Sequence, residues 1–451
     1  MFGMRKIAKI GVSILSAAAL LVPTNAFASD STTVQKTSWG IGNNPQGAYQ
    51  TGVYPNLLAQ AGYTQKEIDA RINAAWEQLF NGNPGTEPNR YDGQAIYYQL
   101  TPDMAYVEDI GNQDVRTEGM GYAMMIALQL NHQKEFNDLW NYAKTYMQIK
   151  SGPTKDFFAW HTKPDGTILS KGIAPDGDQW IAAALAFASS RWGNGEGIYN
   201  YKKEAKQILH AMWHNSDTGG VDMFDRKTYL STFSPPGAIG FTDPSYSLPA
   251  FYRIFASVNP NDKDLWEKAY LAGEKLLENA ADPRTGLAPC YSNFDGTPFK
   301  APWEGPGPDG YSDNFNEDAW RAIANANVDA AWFGVKPWQT KYSNTLQNFF
   351  ESQGMDTYNS RYHLDGTPIN TNLVWYEPQV HSPGLVSMNA TSAISATNPN
   401  KMEFVHQLWE TDTPSGTARY YDGLLYMLGM LYDSGKFQIW WSPVDHRDSS
   451  N

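Results

Sequence analysis

Apolar positions recur with the period of an α-helix along most of the chain. From Thr64 to Phe80, the residues Ile68, Ile72, Ala75, Trp76 and Leu79 fall on one face, and Thr64 with Glu67 forms a capping box at the start. Amphipathic segments of the same kind run Gln133–Met147, Tyr201–Trp213, Lys263–Leu277, Pro337–Phe350 and Lys401–Trp409. Between them lie segments apolar nearly all round: Arg116–Leu130, Asp178–Ala188, Pro244–Ala256, Glu317–Trp332, Pro383–Ala396 and Tyr420–Leu431. A helix apolar on every side is buried on every side. The alternation of amphipathic outer and buried inner helices predicts an all-α fold, an (α/α)6 barrel, with an irregular helical bundle as the alternative. Acids at the entries to the buried segments, near Asp114, Asp176, Asp243 and Asp318, recur at roughly sixty to seventy-five residues, a loose repeat. The long loops Phe294–Asp313 and His363–Pro383, rich in Gly, Pro, Asn and Asp, are expected to carry function and short strands.

The first residues break this pattern. Arg5, Lys6 and Lys9 precede an apolar run, Ile10 to Val22, and Ala26-Phe27-Ala28 supplies small residues at −3 and −1 of a cleavage point. This reads as a signal peptide over residues 1–28, the alternative being a membrane anchor, for which the run is short. The mature chain, 29–451, carries no linker-like composition and is expected to be one domain, secreted, monomeric and free of the membrane once cleaved.

Composition narrows the chemistry. The single cysteine, Cys290, excludes an internal disulfide or a multi-cysteine metal site and reads as a small buried residue. A net charge of −13 excludes nucleic acid as a natural partner. Aromatic residues make up 14% of the chain, with 16 Trp and 26 Tyr. They fill helix cores and also offer flat faces to sugar rings. Motifs for metalloprotease, nucleotide-binding, disulfide-redox and serine-hydrolase chemistry are missing, and Gly193-Asn194-Gly195-Glu196-Gly197 reads as a turn. No metal or organic cofactor is implied, and carboxylates remain as the available acids and bases.

Three acids stand at the starts of buried helices: Glu118 in Asp114-Val115-Arg116-Thr117-Glu118-Gly119, Asp176 in Ala174-Pro175-Asp176-Gly177-Asp178, and Asp318 in Glu317-Asp318-Ala319-Trp320-Arg321. If the inner helices share a polarity, these starts meet at one mouth of the barrel. Each acid taken alone reads as a helix cap, and Asp178 and Glu317 are read as doing only that. Together they suit glycoside cleavage, in which one carboxylic acid protonates the leaving oxygen and one carboxylate acts on the opposite face. A neighbouring Asp176 would hold Glu118 protonated by charge repulsion.

The runs D-V-R-T-E-G-M (Asp114 to Met120), A-P-D-G (Ala174 to Gly177), T-D-P-S-Y (Thr242 to Tyr246), D-A-W-R (Asp318 to Arg321) and R-Y-Y-D-G-L-L-Y-M-L (Arg419 to Leu428) resemble glycoside hydrolase family 8 over nearly the whole mature chain. The resemblance implies an (α/α)6 barrel that hydrolyses β-1,4 xylan, cellulose or chitosan with inversion. By matching motif it implies Glu118 as general acid, Asp318 as general base and Asp176 beside the scissile sugar. It also implies that Tyr246 holds the attacking water and that Trp160 is a sugar platform; core packing is the alternative for both. Tyr421 lines the cleft or packs in the core, and Arg116 orients Glu118 or serves in a salt bridge.

Within the family the chain looks most like the reducing-end xylose-releasing exo-oligoxylanases, on His381-Ser382-Pro383-Gly384-Leu385. There the histidine would meet the reducing-end hydroxyl; capping of the helix after Pro383 is the alternative. The export signal departs from that group. So does the stretch Asn370–Gln379, which adds Trp375 and Tyr376 to extend a sugar track. The expected substrate is xylan or xylo-oligosaccharide. The alternatives are an endo-β-1,4-xylanase, then an endoglucanase or chitosanase, and, from another class, a non-catalytic sugar-binding protein.

Overall fold

In the computed structural model, the helices predicted to be apolar all round are buried and close on one another in a ring. The structure describes residues 46–305, 307–369 and 380–441. The 1–28 segment expected to be a signal peptide, and Trp375 and Tyr376, lie outside the described residues. In chain order the barrel helices are α1 (Gln65–Asn81), α2 (Thr117–Leu130), α3 (Gln133–Tyr142), α4 (Pro175–Arg191), α5 (Tyr201–His214) and α6 (Pro249–Val258). They continue as α7 (Lys263–Ala280), α8 (Arg321–Phe333), α9 (Pro337–Gln353), α10 (Pro383–Ala390), α11 (Lys401–Glu410) and α12 (Tyr421–Asp433). The even-numbered helices form the inner ring: α2 packs on α4, α4 on α6, α6 on α8, α8 on α10, α10 on α12, and α12 back on α2. Each odd-numbered helix packs outside an inner one, α1 against α12 and α3 against α2, with the same pattern onward. This is the predicted (α/α)6 barrel.

The local chemistry explains both the agreement and the departures. At the start of α1 the Thr64 N–H donates to Glu67 Oε2 at 2.8 Å, and the Glu67 N–H donates to Thr64 Oγ1 at 3.3 Å, which is the expected capping box. The expected helix Pro244–Ala256 is instead a 3₁₀ turn, Pro244–Tyr246, followed by α6. Pro249 lacks an N–H, and its ring keeps Leu248 out of the helical region (φ −119°, ψ 65°). The segment expected to begin at Glu317 enters α8 through another 3₁₀ turn, Asp318–Trp320. The outer segment expected to reach Met147 ends as α3 at Tyr142 and continues as a π-turn, Ala143–Met147.

Short strands brace the entries. β1 (Tyr97–Thr101) and β2 (Met104–Val107) form an antiparallel hairpin, and β3 (Val115–Arg116), β4 (His161–Thr162) and β5 (Ile168–Ser170) form an antiparallel sheet. Because β3 runs straight into α2, the sheet fixes where Glu118 begins its helix. Two glycines let α2 and α4 approach closely. A Cβ at Gly177 would lie 2.5 Å from Thr117 Cβ, and one at Gly121 would lie 2.7 Å from Trp180 Cβ. Cys290 is buried and unpaired. Among the described residues no helix is long and apolar enough to cross a membrane.

Candidate active site

A cleft of about 450 Å³ opens at the N-terminal ends of the inner helices. Glu118 reaches it from the first turn of α2, Asp176 from the first turn of α4, and Asp318 from the 3₁₀ turn that starts α8. Tyr246 comes from the 3₁₀ turn before α6, and Tyr421 from the first residue of α12. The three acids that the sequence pattern singled out therefore meet at one mouth.

Arg321 joins them. Its Nη1 donates to Glu118 Oε2 at 2.8 Å, to Asp176 Oδ2 at 2.6 Å and to the Tyr122 hydroxyl at 2.6 Å. Its Nη2 donates to Asp318 Oδ1 at 2.9 Å and lies 4.0 Å from Asp243 Oδ2. The guanidinium sits between the rings of Tyr246 and Tyr421, 6.0 Å from each centroid. One cation thus faces four carboxyl groups, a ratio that disfavours full ionisation.

The carboxyl groups respond accordingly. Burial raises the pKa of Glu118, Arg321 opposes this, and the charges of Asp176 and Asp318 add to the rise. Burial likewise raises Asp176 against the pull of Arg321. Asp243, wholly buried, is pushed well above the carboxylate range by burial and then by Asp318. Its Oδ1 accepts from the Ser245 N–H at 2.7 Å, which shapes the turn that carries Tyr246. Glu118 and Asp318 remain open to the cleft, their side chains 16% and 25% exposed, so both can reach a substrate.

The walls are aromatic. Trp160 lines the cleft, its carbonyl accepts from the Thr117 N–H at 3.0 Å, and its ring stacks on His161 at 3.6 Å. Phe233 lies nearly parallel to Tyr246, with centroids 6.0 Å apart. Tyr421 lines the cleft while its hydroxyl donates to the Glu317 carbonyl at 2.9 Å, so it is both wall and packing. Arg116 lines the cleft as well. It pairs with Asp114 at 2.9 Å and Asp109 at 3.2 Å, and the direct partner of Glu118 is Arg321.

Elsewhere the structure departs from the expected assignments. Asp178 does not cap α4; its Oδ1 accepts from the Phe158 N–H at 3.2 Å. Glu317 pairs with Arg361 at 2.6 Å. Among the described residues that line the cleft His381 does not appear; its Nε2 meets Gln407 Nε2 at 3.2 Å and its ring packs edge-on to Tyr358. Nor does His381 cap α10, because Asp422 takes that place, accepting from the Ser382 hydroxyl at 2.6 Å and the Gly384 N–H at 3.0 Å.

Arg321, Asp243, Tyr122 and Tyr311 received no role from the sequence. Tyr311 accepts from the Asp318 N–H at 3.2 Å, holding the turn that presents this acid. Arg321 carried one signal, a charged residue opening a helix otherwise suited to burial. Away from the cleft, the described residues contain one group with metal-ligand chemistry: His210, His214 and Asp262, whose candidate ligand atoms lie within 4.8 Å of one another. Both nitrogens of His214 already engage carboxylates, Asp217 and Asp262, at 2.8 Å. Partial burial opposes charge on His214, but these two bonds raise its pKa overall.

Two carboxyl groups open to one cleft, one of them biased toward its protonated form, between aromatic faces, can cleave a glycosidic bond by acid–base chemistry. Residues 94–435 match the glycosyl hydrolases family 8, and the chain belongs to that family. It is a glycoside hydrolase. Among its relatives, the reducing-end xylose-releasing exo-oligoxylanase Rex8A of Paenibacillus barcinonensis is 43% identical over 397 residues, which span 88% of this chain and 99% of that protein. The reducing end xylose-releasing exo-oligoxylanase of Halalkalibacterium halodurans is 39% identical over 399 residues, spanning 88% and 96%. The solved structure of a Rex8A mutant from Paenibacillus barcinonensis, complexed with 3(3)-alpha-L-arabinofuranosyl-xylotetraose, superposes with a TM-score of 0.80 at 43% identity, covering 88% of this chain and 99% of that one.

Proposed function

We propose that this enzyme is a secreted, monomeric, inverting hydrolase that releases xylose from the reducing end of β-1,4-xylo-oligosaccharides. The observation that carries the reading is the pairing of Glu118 and Asp318 with different nitrogens of Arg321 at the floor of one cleft. Glu118, favoured in its protonated form, donates its proton to the glycosidic oxygen as the bond from C1 to that oxygen breaks. A water forms the new bond to C1 from the opposite face and gives its proton to Asp318. Tyr246 holds that water, Asp176 binds the sugar whose bond is cut, and Trp160 carries a neighbouring ring. The exo mode is supported by relatives that bear that activity in their names and that match this chain over most of its length. In this reading His381 and its loop restrict the cleft to one sugar beyond the cut. Export rests on the basic and apolar pattern of residues 1–28.

A second reading, an endo-β-1,4-xylanase, is favoured by one observation: the His381 imidazole meets Gln407 and Tyr358 and is not part of the cleft lining among the described residues. Early products from xylohexaose labelled at its reducing end separate the two. Labelled xylose with unlabelled xylopentaose establishes the exo mode. Labelled fragments of mixed length establish internal cutting.

A further inference from the structure

The cleft does not end at its aromatic lining. Phe233 and Tyr291 line it, and both pack against Trp303, with centroids at 6.2 Å and 6.4 Å. Phe241, behind Phe233, is 6.1 Å from the same indole. The aromatic surface therefore runs continuously from the catalytic cleft to Trp303, which is 61% exposed. An exposed tryptophan on a slack loop would mean little, but this backbone is pinned on both sides. The Ala301 N–H donates to Ser312 Oγ at 2.9 Å, and the Glu304 carboxylate accepts from the Ser312 N–H at 2.9 Å and its hydroxyl at 2.8 Å. Ser312 is itself fully buried. A large apolar face held rigid in water, contiguous with a sugar cleft, is the arrangement that stacks a pyranose ring with little entropy lost on binding.

We propose that Trp303 is a further sugar platform outside the cleft, holding a backbone xylose ring of the substrate several units from the cut. Its side follows from the proposed function, on which that part rests. An enzyme that releases a single reducing-end xylose has one sugar beyond the cut, so a more distant ring lies toward the non-reducing end. Substrates long enough to reach Trp303 bind more tightly, and short ones do not sense it.

The test compares wild type, Trp303→Ala and Trp303→Phe on reducing-end-labelled xylotriose and xylohexaose. With Trp303→Ala the KM for xylohexaose is expected to rise about tenfold at nearly unchanged kcat, in line with the loss of one stacking contact. Xylotriose should be unaffected, and Trp303→Phe should recover most of the loss. Unchanged KM for xylohexaose overturns the proposal. So does an equal rise for both substrates, which would mean a displaced loop. The position of the label in the products judges the exo reading separately, because the platform stands or falls on chain length alone.

Discussion

Glu118 and Asp176 enter the cleft from adjacent inner helices and bind the same nitrogen, Nη1 of Arg321, at 2.8 Å and 2.6 Å. The arrangement holds two acids in mutual repulsion across one donor. Whichever of them loses its proton first makes the loss of the second harder.

Glu118→Gln keeps the shape and a hydrogen-bonding side chain but has no acidic proton to give. Initial rates on labelled xylohexaose should fall by about 10²–10⁴-fold in kcat, the usual contribution of a positioned acid. KM should stay within a few-fold of wild type. A non-catalytic sugar-binding protein would show no change, because it has no rate to lose.

Asp176→Asn removes one of the charges that raise the Glu118 pKa and leaves Arg321 more available to the Glu118 carboxylate. Both effects lower that pKa. The acid must be protonated to act, so activity is lost as pH rises through its pKa, and that limb should move to lower pH. A kcat–pH profile reads this directly, and an unmoved limb would remove Asp176 from the role.

Arg321→Met deletes the cation that pairs with Glu118, Asp176 and Asp318 and lies 4.0 Å from Asp243. At pH 8 we expect a loss of stability of about 3–5 kcal/mol in urea unfolding, the cost of leaving buried charges unpaired. The folded-state pKa values of Glu118, Asp176 and Asp243 lie above their ordinary values. Their protonated forms therefore favour the fold, and the variant should regain stability as pH falls. A pH-independent loss would assign the effect to packing.

Asp422, buried beneath the start of α10, has its pKa raised to about 7 by burial, against the opposing bonds from Ser382 and Gly384. Because the folded value exceeds the ordinary 3.8, its contribution to stability is fully present below that value and is lost as pH rises through about 7. Asp422→Asn can still accept from the Gly384 N–H and cannot ionise. Its Tm should match wild type below pH 3.8, pull ahead as pH rises toward about 7 and exceed it near pH 8, as followed by circular dichroism. A deficit at both pH values would mean that the Ser382 hydrogen bond needs the carboxylate.

The barrel was legible because its two helix types differ in what they bury. Ile181, Ala184 and Phe187 of α4 have no exposed face, whereas α1 buries Ile68, Ile72, Ala75, Trp76, Leu79 and Phe80 on one side and shows Glu67 and Glu77 to water on the other. The position of Glu118, Asp176 and Asp318 at inner-helix starts was legible for the same reason. The partner of Glu118 was not, because Arg321 lies 203 residues away and meets it only when the ring closes. Arg116, two residues from Glu118, looked closer in sequence but is drawn to Asp109 and Asp114. The break before α6 was legible in principle from Pro249, whose effect on Leu248 is local and steric.

The ring has a seam, where the last inner helix packs against the first. Tyr421, on that last helix, walls the cleft that Glu118 enters from the first. A chain folded only from α2 to α10 would hold its catalytic acids in an open arc, lacking one wall. Completion of the active centre therefore waits for α12, and hydrolytic competence arrives in one step with topological closure.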